Sequence, residues 1–290
     1  KKQDLFLRLE TLLREEQIRQ GTLDRPGKRR LGKRVLILAA IVAVLLAATA
    51  VSMDFWNVRV EDVLVGQESS SYRVNGEIPV IPLESFSDEV ASAMEDVSQK
   101  MEGQDLYLNS SPGYWLRTFD RWADCEEFIG FPLNNPLEKS SLLETANYFA
   151  IAQDAETLNE ESQRHCAVAL QGNIKGELQH VTIDTGYLMG PIRIQMTVSL
   201  YPEGSGMEPG TGGSWNGEAE FEITSGVTGE GIPYTLVVSE TPESDYYNDF
   251  SSADAYFVLK NGLYTLDAVS PGRDSGADAK AALEELLALF

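Results

Sequence analysis

Residues 255–269 read AYFVLKNGLYTLDAV, in which two apolar runs flank the pair Asn261-Gly262. An Asn-Gly pair between apolar runs is a strong short-range signal of a β-hairpin, because a type I′ turn needs positive φ at both central positions. The sequence therefore predicts that the C-terminal part of the chain contains an antiparallel sheet.

The segments upstream of this hairpin extend the same pattern. QHVTIDT (179–185) and IRIQMTVSL (192–200) alternate apolar and polar residues, as half-buried antiparallel strands do. The stretch 202–214 is rich in Gly, Pro and Ser and is predicted to be a long loop. The predicted strands from residue 140 onward are 144–152, 164–171, 176–185, 191–201, 215–224, 232–240 and 253–260.

Helical periodicity is found in three places, and the apolar positions there recur every three or four residues. We expect Ser85 to cap the first helix and Asp120 the second, while Gly130 ends the second. Residues 57–83 read as extended, with a turn signal at Asn75-Gly76. The predicted helices are 87–101, 120–129 and 277–290. The predicted fold is α+β, with an antiparallel sheet of about six to eight strands and two or three packed helices.

The charge of the chain is distributed unevenly. Residues 1–34 hold eleven Lys or Arg and five Asp or Glu, a net +6, whereas the other 256 residues hold 12 basic and 40 acidic groups, a net −28. Such asymmetry indicates two different environments. The acidic part would repel nucleic acid, since binding phosphates needs clustered Lys and Arg. We therefore expect no nucleic-acid partner.

Nineteen uncharged residues, VLILAAIVAVLLAATAVSM (35–53), separate the two charged parts. A helix of this length spans close to the roughly 30 Å hydrocarbon core of a membrane. Basic residues remain on the cytoplasmic side and aromatic residues favour the interface, which predicts a cytoplasmic N-terminus and an extracellular C-terminal part. The flanking residues on which this orientation depends are Lys28, Arg29, Arg30, Lys33, Arg34, Phe55 and Trp56.

Two questions about the N-terminal part stay open. Ala48-Thr49-Ala50 fits a signal-peptidase site, although the basic leader and the apolar run are longer than those of ordinary signal peptides. Residues 4–20 are predicted to form a short amphipathic helix, which either lies on the membrane surface or docks a cytosolic partner. Its apolar stripe contains Leu5, Leu9, Leu12 and Leu13. Because the chain begins with Lys1, we also expect further residues upstream.

The chain has two cysteines, Cys125 and Cys166. In an oxidising compartment a disulfide between them would stabilise the fold by about 4 kcal/mol in the chain-entropy model, and two separate buried thiols are the alternative. His165 precedes Cys166, but neighbouring side chains of a strand point to opposite faces, so we expect no shared site.

No residue pattern indicates an active site. The sequence has no nucleophile elbow, no phosphate-binding glycine loop and no zinc-ligand spacing. We therefore expect a non-enzymatic protein without metal or cofactor; an exported hydrolase would need a cleft with perturbed carboxylates. Tyr114, Trp115, Phe119 and Trp122 are predicted to be packing aromatics, with a glycan- or peptide-binding strip as the alternative.

Three stretches resemble a family, namely Gram-positive, single-pass, anti-sigma-factor-like membrane proteins with an exported domain. They are the basic leader with its anchor, FDRWADCEEFIGFPLNNPL (119–137) and the C-terminal segment 255–290. The resemblance implies an exported sensor tied to a cytoplasmic segment that binds a sigma factor. Residues 1–34 contain no His and no Cys, so the zinc-type His-x-x-x-Cys-x-x-Cys helix of many such proteins is absent from this segment.

These observations predict three parts: a cytoplasmic segment (1–34), a transmembrane helix (35–53) and an acidic exported domain (54–290). The domain is expected to be more helical over 54–140 and mainly β over 141–290, with a C-terminal helix. The preferred hypothesis is envelope signalling in response to an unknown extracellular ligand or protein. The alternative is an anchored binding module without cytoplasmic output.

Overall fold

A computed structural model describes residues 58–66, 69–101, 113–148, 164–173, 175–207, 209–216, 219–240, 250–260, 262–271 and 276–290. The predicted leader (1–34), its amphipathic helix and the predicted membrane span (35–53) lie outside these residues, as do Phe55 and Trp56.

Among the residues that the structure describes, no helix is long and apolar enough to cross a membrane.

The described part of the chain forms thirteen strands and three α-helices, an α+β arrangement dominated by antiparallel sheet. The strands are β1 (Val58–Leu64), β2 (Ser69–Gly76), β3 (Val80–Ile81), β4 (Gly113–Phe119), β5 (Glu144–Ala146), β6 (Cys166–Gly172), β7 (Leu178–Met189), β8 (Ile192–Pro202), β9 (Gly210–Asn216), β10 (Glu220–Val227), β11 (Pro233–Glu240), β12 (Phe250–Leu259) and β13 (Gly262–Pro271). The helices are α1 (Asp88–Met101), α2 (Trp122–Ile129) and α3 (Gly276–Leu287).

The large sheet contains ten of these described strands. Its order is β10-β11-β12-β13-β8-β7-β6-β4, while β3 pairs with β8 and β5 pairs with β7. The β3–β8 pairing is parallel, and the other described pairings are antiparallel. The sheet is therefore larger than the six to eight strands expected, and strands from before residue 140 also belong to it.

One face of the large sheet carries the helices and the main hydrophobic core. Helices α1 and α2 contact β4 and β6, and α3 contacts β11, β12 and β13. The leucines of α3 at 283, 286 and 287 are almost fully buried, and each buried leucine contributes roughly 1.5–3 kcal/mol of hydrophobic stabilisation. The inward-facing residues of β7 and β8 are the alternating apolar ones, as the sequence predicted.

A small sheet, ordered β1-β2-β9, packs over β11 and β12 through a second apolar cluster. Its strand β9 includes residues 210–214 of the stretch 202–214 that was predicted to be a loop, so the prediction is wrong there, while residues 203–207 lie outside the strands. A Cβ atom at Gly212 would lie 2.3 Å from the carbonyl oxygen of Tyr72 on β2. The glycines allow β2 and β9 to approach closely, so a composition typical of loops here forms a strand.

The C-terminal hairpin is confirmed, but its turn lies one residue earlier than predicted. Leu259 pairs with Gly262, and Lys260 adopts a φ of 53°. Gly262 is the first residue of β13 rather than a turn residue. The shift determines which residues of β12 and β13 face each other.

The helix ends differ from the predicted caps. The hydroxyl of Ser87, not Ser85, accepts a hydrogen bond from Val90 N at 3.2 Å, because α1 begins at Asp88. At α2 the N-cap residue is Arg121, and Trp122 N donates to Glu138 at 3.2 Å, so Asp120 is not the cap. Gly130 ends α2 with a φ of 102°, as predicted.

The predicted turn at Asn75-Gly76 is also wrong. Both residues pair with β1 at the end of β2, opposite Arg59 and Val58 respectively. The amide of Asn75 donates to Glu61 across this pairing at 3.0 Å. The Asn-Gly pair therefore ends a strand instead of reversing it.

Candidate functional site

A group of polar side chains lies on the face of the large sheet opposite the helices. Residues that alternate with the core positions of β7, β8, β12 and β13 occupy this face. Among them are three carboxylic acids, Asp184, Asp254 and Asp267. We call these three residues the carboxyl cluster.

Asp254 and Asp267 form the centre of the carboxyl cluster. They lie opposite each other in the β12–β13 pairing. Burial and the negative charge of Asp254 raise the pKa of Asp267 well above its usual range, and hydrogen bonding of its protonated form to Asp254 acts in the same direction. The raised pKa favours the protonated form of Asp267, which can donate to Asp254.

Asp254 also receives a hydrogen bond from the small sheet. Tyr72 of β2 donates its hydroxyl to Asp254 Oδ2 at 2.9 Å, and the hydroxyl oxygens of Tyr72 and Tyr256 lie 2.5 Å apart. Burial raises the pKa of Asp254, although the hydrogen bonds from Asp267 and Tyr72 offset part of that rise. Asp254 is only 8% exposed, so its carboxyl group is hydrogen-bonded by protein groups instead of by water.

Asp184 is the third member of the carboxyl cluster and lies on β7. It accepts hydrogen bonds from Thr197 at 2.6 Å and from Gln195 at 3.3 Å, both on β8. Burial raises its pKa, and these two hydrogen bonds partly offset the rise. The charge of Asp184 adds to the effects that hold the proton on Asp267. The pKa of Asp267 therefore depends on the charges of both other members of the carboxyl cluster.

Among the described residues, three further hydrogen bonds join the small sheet to the large one, one at β1 and two at β9. The hydroxyl of Thr235 on β11 donates to the carbonyl of Val58 on β1 at 3.0 Å. Tyr201 of β8 donates to the carbonyl of Gly210 on β9 at 2.8 Å and accepts from its N–H at 3.2 Å. Of these bonds, the Tyr72–Asp254 bond is the one that involves a carboxyl group.

The carboxyl cluster places two acids with raised pKa values opposite each other at the junction of two sheets, which favours one proton between them. Loss of that proton would place two negative charges next to each other in a region of low dielectric, which is unfavourable. The arrangement can therefore exist in two protonation states with different stability. In the part of the chain that the structure describes, no three His, Cys, Asp or Glu side chains are placed to hold a metal ion.

The two cysteines form a separate cluster on the helix side of the sheet. Cys125 on α2 and Cys166 at the start of β6 are both fully buried and have free thiols, and each thiol shifts the pKa of the other. The structure thus brings together the two residues named as a candidate disulfide.

The expectation that His165 and Cys166 face opposite directions is wrong. Thr185 Oγ1 lies 3.0 Å from His165 Nε2 and 3.5 Å from Cys166 Sγ. The alternation rule fails here because β6 begins only at Cys166, so His165 does not have the strand conformation.

The predicted aromatic residues fall into two groups. Phe119 and Trp122 are buried, and Trp115 stacks on Phe128 with ring centroids 5.2 Å apart, so these three are packing residues. Tyr114 is 64% exposed on the edge strand β4, so it is not a packing residue.

Sequence reasoning missed the carboxyl cluster, although one signal was present. In a hairpin with a two-residue turn at 260 and 261, residue 254 falls opposite residue 267. With the turn placed at Asn261-Gly262, Asp267 would instead face Tyr256. The one-residue error in the turn therefore hid the pair of acids. The contact with Tyr72 has no local signal, because the two residues are 182 positions apart.

The other predicted site residues lie outside the described part of the chain. They are the membrane-flanking Lys28, Arg29, Arg30, Lys33, Arg34, Phe55 and Trp56, and the predicted partner helix with Leu5, Leu9, Leu12 and Leu13. Comparisons of the chain with models of known protein families, with curated proteins and with solved structures found no match.

Proposed function

We propose that this chain is a membrane-anchored envelope-signalling protein of the anti-sigma-factor-like kind. Residues 35–53 form its membrane helix, residues 1–34 contact a cytoplasmic sigma factor, and the domain that follows binds an extracellular signal. The observation that carries this proposal is the uncharged run of nineteen residues between a segment of net charge +6 and a remainder of net charge −28.

The contact between the two sheets supports a sensing role for the folded domain. Strand β1 of the small sheet begins five residues after Met53, where the proposed membrane helix ends. All three strands of the small sheet make polar contacts to the large sheet, and Tyr72 contacts Asp254, which lies opposite Asp267. In this proposal, a ligand that changes the charge near the carboxyl cluster alters the packing of the small sheet, and β1 passes the change to the anchor.

Affinity capture of the full-length protein, extracted from its native membranes, tests the proposal. Mass spectrometry identifies what is captured, and the matched control carries an unrelated basic leader in place of residues 1–34 and whatever precedes them. A sigma factor captured in stoichiometric amount by the native chain, and lost in the control, supports the proposal. Capture of the same envelope proteins by both chains, without a sigma factor, contradicts it and favours an anchored binding module without cytoplasmic output.

A second candidate function is hydrolysis, because two acids that share a proton can act as general acid and general base. Asp254 and Asp267 have that relationship, but the 8% exposure of Asp254 leaves little access for a substrate. Cleavage of casein by the full chain between about pH 4 and pH 7 tests this candidate. Cleavage that is lost in Asp267→Asn supports hydrolysis, and an absence of cleavage by the native chain rejects this candidate.

A further inference from the structure

The two cysteines of the chain meet at the contact between a helix and the sheet. Cys125 lies on the buried side of α2, and Cys166 is the first residue of β6, against which α2 packs. Both side chains have no exposed surface and belong to the same hydrophobic core, and each thiol is the largest influence on the pKa of the other. No other cysteine is present in the 290 residues, so neither thiol has a competing partner within the chain.

The surroundings of the two thiols are unequal. Cys166 Sγ lies 3.5 Å from Thr185 Oγ1, which in turn lies 3.0 Å from His165 Nε2. The neighbouring Cys125 thiol lowers the pKa of Cys166, burial partly offsets this, and the nearby His165 lowers it further. The pKa of Cys125 is raised by the same thiol–thiol contact and by burial. Cys166 is therefore the better nucleophile of the two, since the thiolate is the reactive form.

We propose that Cys125 and Cys166 form a disulfide that covalently joins α2 to β6. The bond is made while the chain folds, because in the folded protein neither sulfur is accessible to an oxidant. Its presence in the cell depends on the extracellular location of this domain, which is part of the proposed function, whereas the ability of the two residues to pair does not.

The chemistry is thiol–disulfide exchange with an external disulfide, either a small-molecule one or that of an oxidoreductase. During folding, the thiolate of one cysteine attacks one sulfur of the external disulfide, forms a mixed disulfide and releases one thiolate. The other cysteine then loses its proton and attacks the protein sulfur of the mixed disulfide, which releases the second thiolate. The two protein thiols are oxidised, and the external disulfide is reduced to two thiols.

Refolding with a defined oxidant tests the proposal. The reduced full chain in detergent is refolded in a mixture of reduced and oxidised glutathione, and only protein that elutes with the native chain on gel filtration is analysed. After alkylation without reduction, peptide mass spectrometry is expected to find the peptides of Cys125 and Cys166 linked, with a mass two hydrogens below their sum. Folded protein in which both cysteines carry the alkylating group or glutathione would overturn the proposal.

A second experiment distinguishes failure of this proposal from failure of the proposed function. The cysteine peptides are mapped in the same way on protein from the cell whose free thiols were blocked with N-ethylmaleimide during lysis. Linked cysteines in both experiments support the disulfide and an oxidising, extracellular location. Cysteines that are linked after refolding but free in the cell support the pairing and contradict the location. In the matched control, Cys125→Ser, Cys166 stays reactive towards maleimide after unfolding under non-reducing conditions.

Discussion

Asp254 and Asp267 lie opposite each other on β12 and β13, and Tyr72 of the small sheet donates a hydrogen bond to Asp254 from 2.9 Å. The pKa values of both acids are raised, which favours a proton between them. This relationship makes the contact between the two sheets sensitive to protonation. Proton loss from Asp267 would leave two adjacent carboxylates with little solvent to screen them.

Stability is expected to fall as the pH rises. The pKa of Asp267 is raised in the folded state, so between about pH 4, the unfolded value, and its folded pKa the folded protein binds more protons than the unfolded chain. The contribution of Asp267 to the free energy of unfolding is complete below about pH 4 and is lost as the pH rises through the folded pKa. The free energy of unfolding then falls by up to about 1.4 kcal/mol per pH unit. Asp254 and Asp184 have pKa values raised in the same direction. The melting temperature of the full chain between about pH 5 and pH 8 measures this dependence.

Asp267→Asn is the matched variant for that measurement. The amide keeps a hydrogen-bond donor opposite Asp254 but cannot lose a proton in this range. Its melting temperature is expected to depend on pH less steeply than that of the native chain. If both proteins show the same slope, Asp267 does not carry the shared proton.

Tyr72→Phe is expected to destabilise the domain by about 2 kcal/mol. The substitution removes a hydroxyl that donates to a buried carboxylate, and such charge-assisted bonds contribute more than neutral ones. The free energy of unfolding in urea measures the effect. The control is Tyr114→Phe, since Tyr114 is 64% exposed and its change is expected to stay within about 0.5 kcal/mol. Equal effects of the two substitutions would contradict the role assigned to Tyr72.

Reduction of the proposed disulfide is expected to lower the free energy of unfolding by about 4 kcal/mol, because the bond closes a loop of about 40 residues in the unfolded chain. Urea unfolding with and without a phosphine reductant measures the difference. The double variant Cys125→Ala, Cys166→Ala serves as the control and should not respond to reductant. A native chain whose unfolding also ignores the reductant would show that the bond is absent.

Gly130→Ala is expected to cost roughly 2 kcal/mol or more. Gly130 has a φ of 102°, and a Cβ atom there would lie 2.8 Å from Ser87 N, at the start of α1. Gly190→Ala is the matched control, because Gly190 also has positive φ (58°) but no atom within 4 Å of its Cβ position. We expect the control to lose only about 1 kcal/mol of stability, which is the cost of the left-handed backbone conformation without a steric clash. A smaller loss at Gly130 than at Gly190 would show that α1 is free to move away.

The strands and helices were largely predictable because their signals are local. The alternation in β7 and β8 was read from residues 179–185 and 192–200, and both strands carry their apolar residues into the core. The same local reasoning failed at β9, where a Gly-rich composition suggested a loop. The glycines there serve a close approach between two strands, and that approach involves a partner far away in the sequence.

Helix starts were predicted less well than the helices themselves. Ser85 and Asp120 had suitable side chains at suitable spacing, but Ser87 caps α1 and Glu138 receives the first N–H of α2. Glu138 is sixteen residues from Trp122, so no local capping pattern could indicate it. Side chains from elsewhere satisfy helix ends as readily as adjacent ones do.

The sequence by itself determined the α+β class, the positions of the three described helices and most strands, and the existence of the C-terminal hairpin, because periodicity and turn residues act over a few positions. Tertiary structure alone decided the strand order, the small sheet and the two buried clusters. Tyr72 meets Asp254 across 182 positions, and Cys125 meets Cys166 only because α2 packs on β6. A local pattern shows that a side chain is buried, whereas the chain topology selects its neighbour, and the neighbour sets the protonation of Asp267 and the pairing of the thiols.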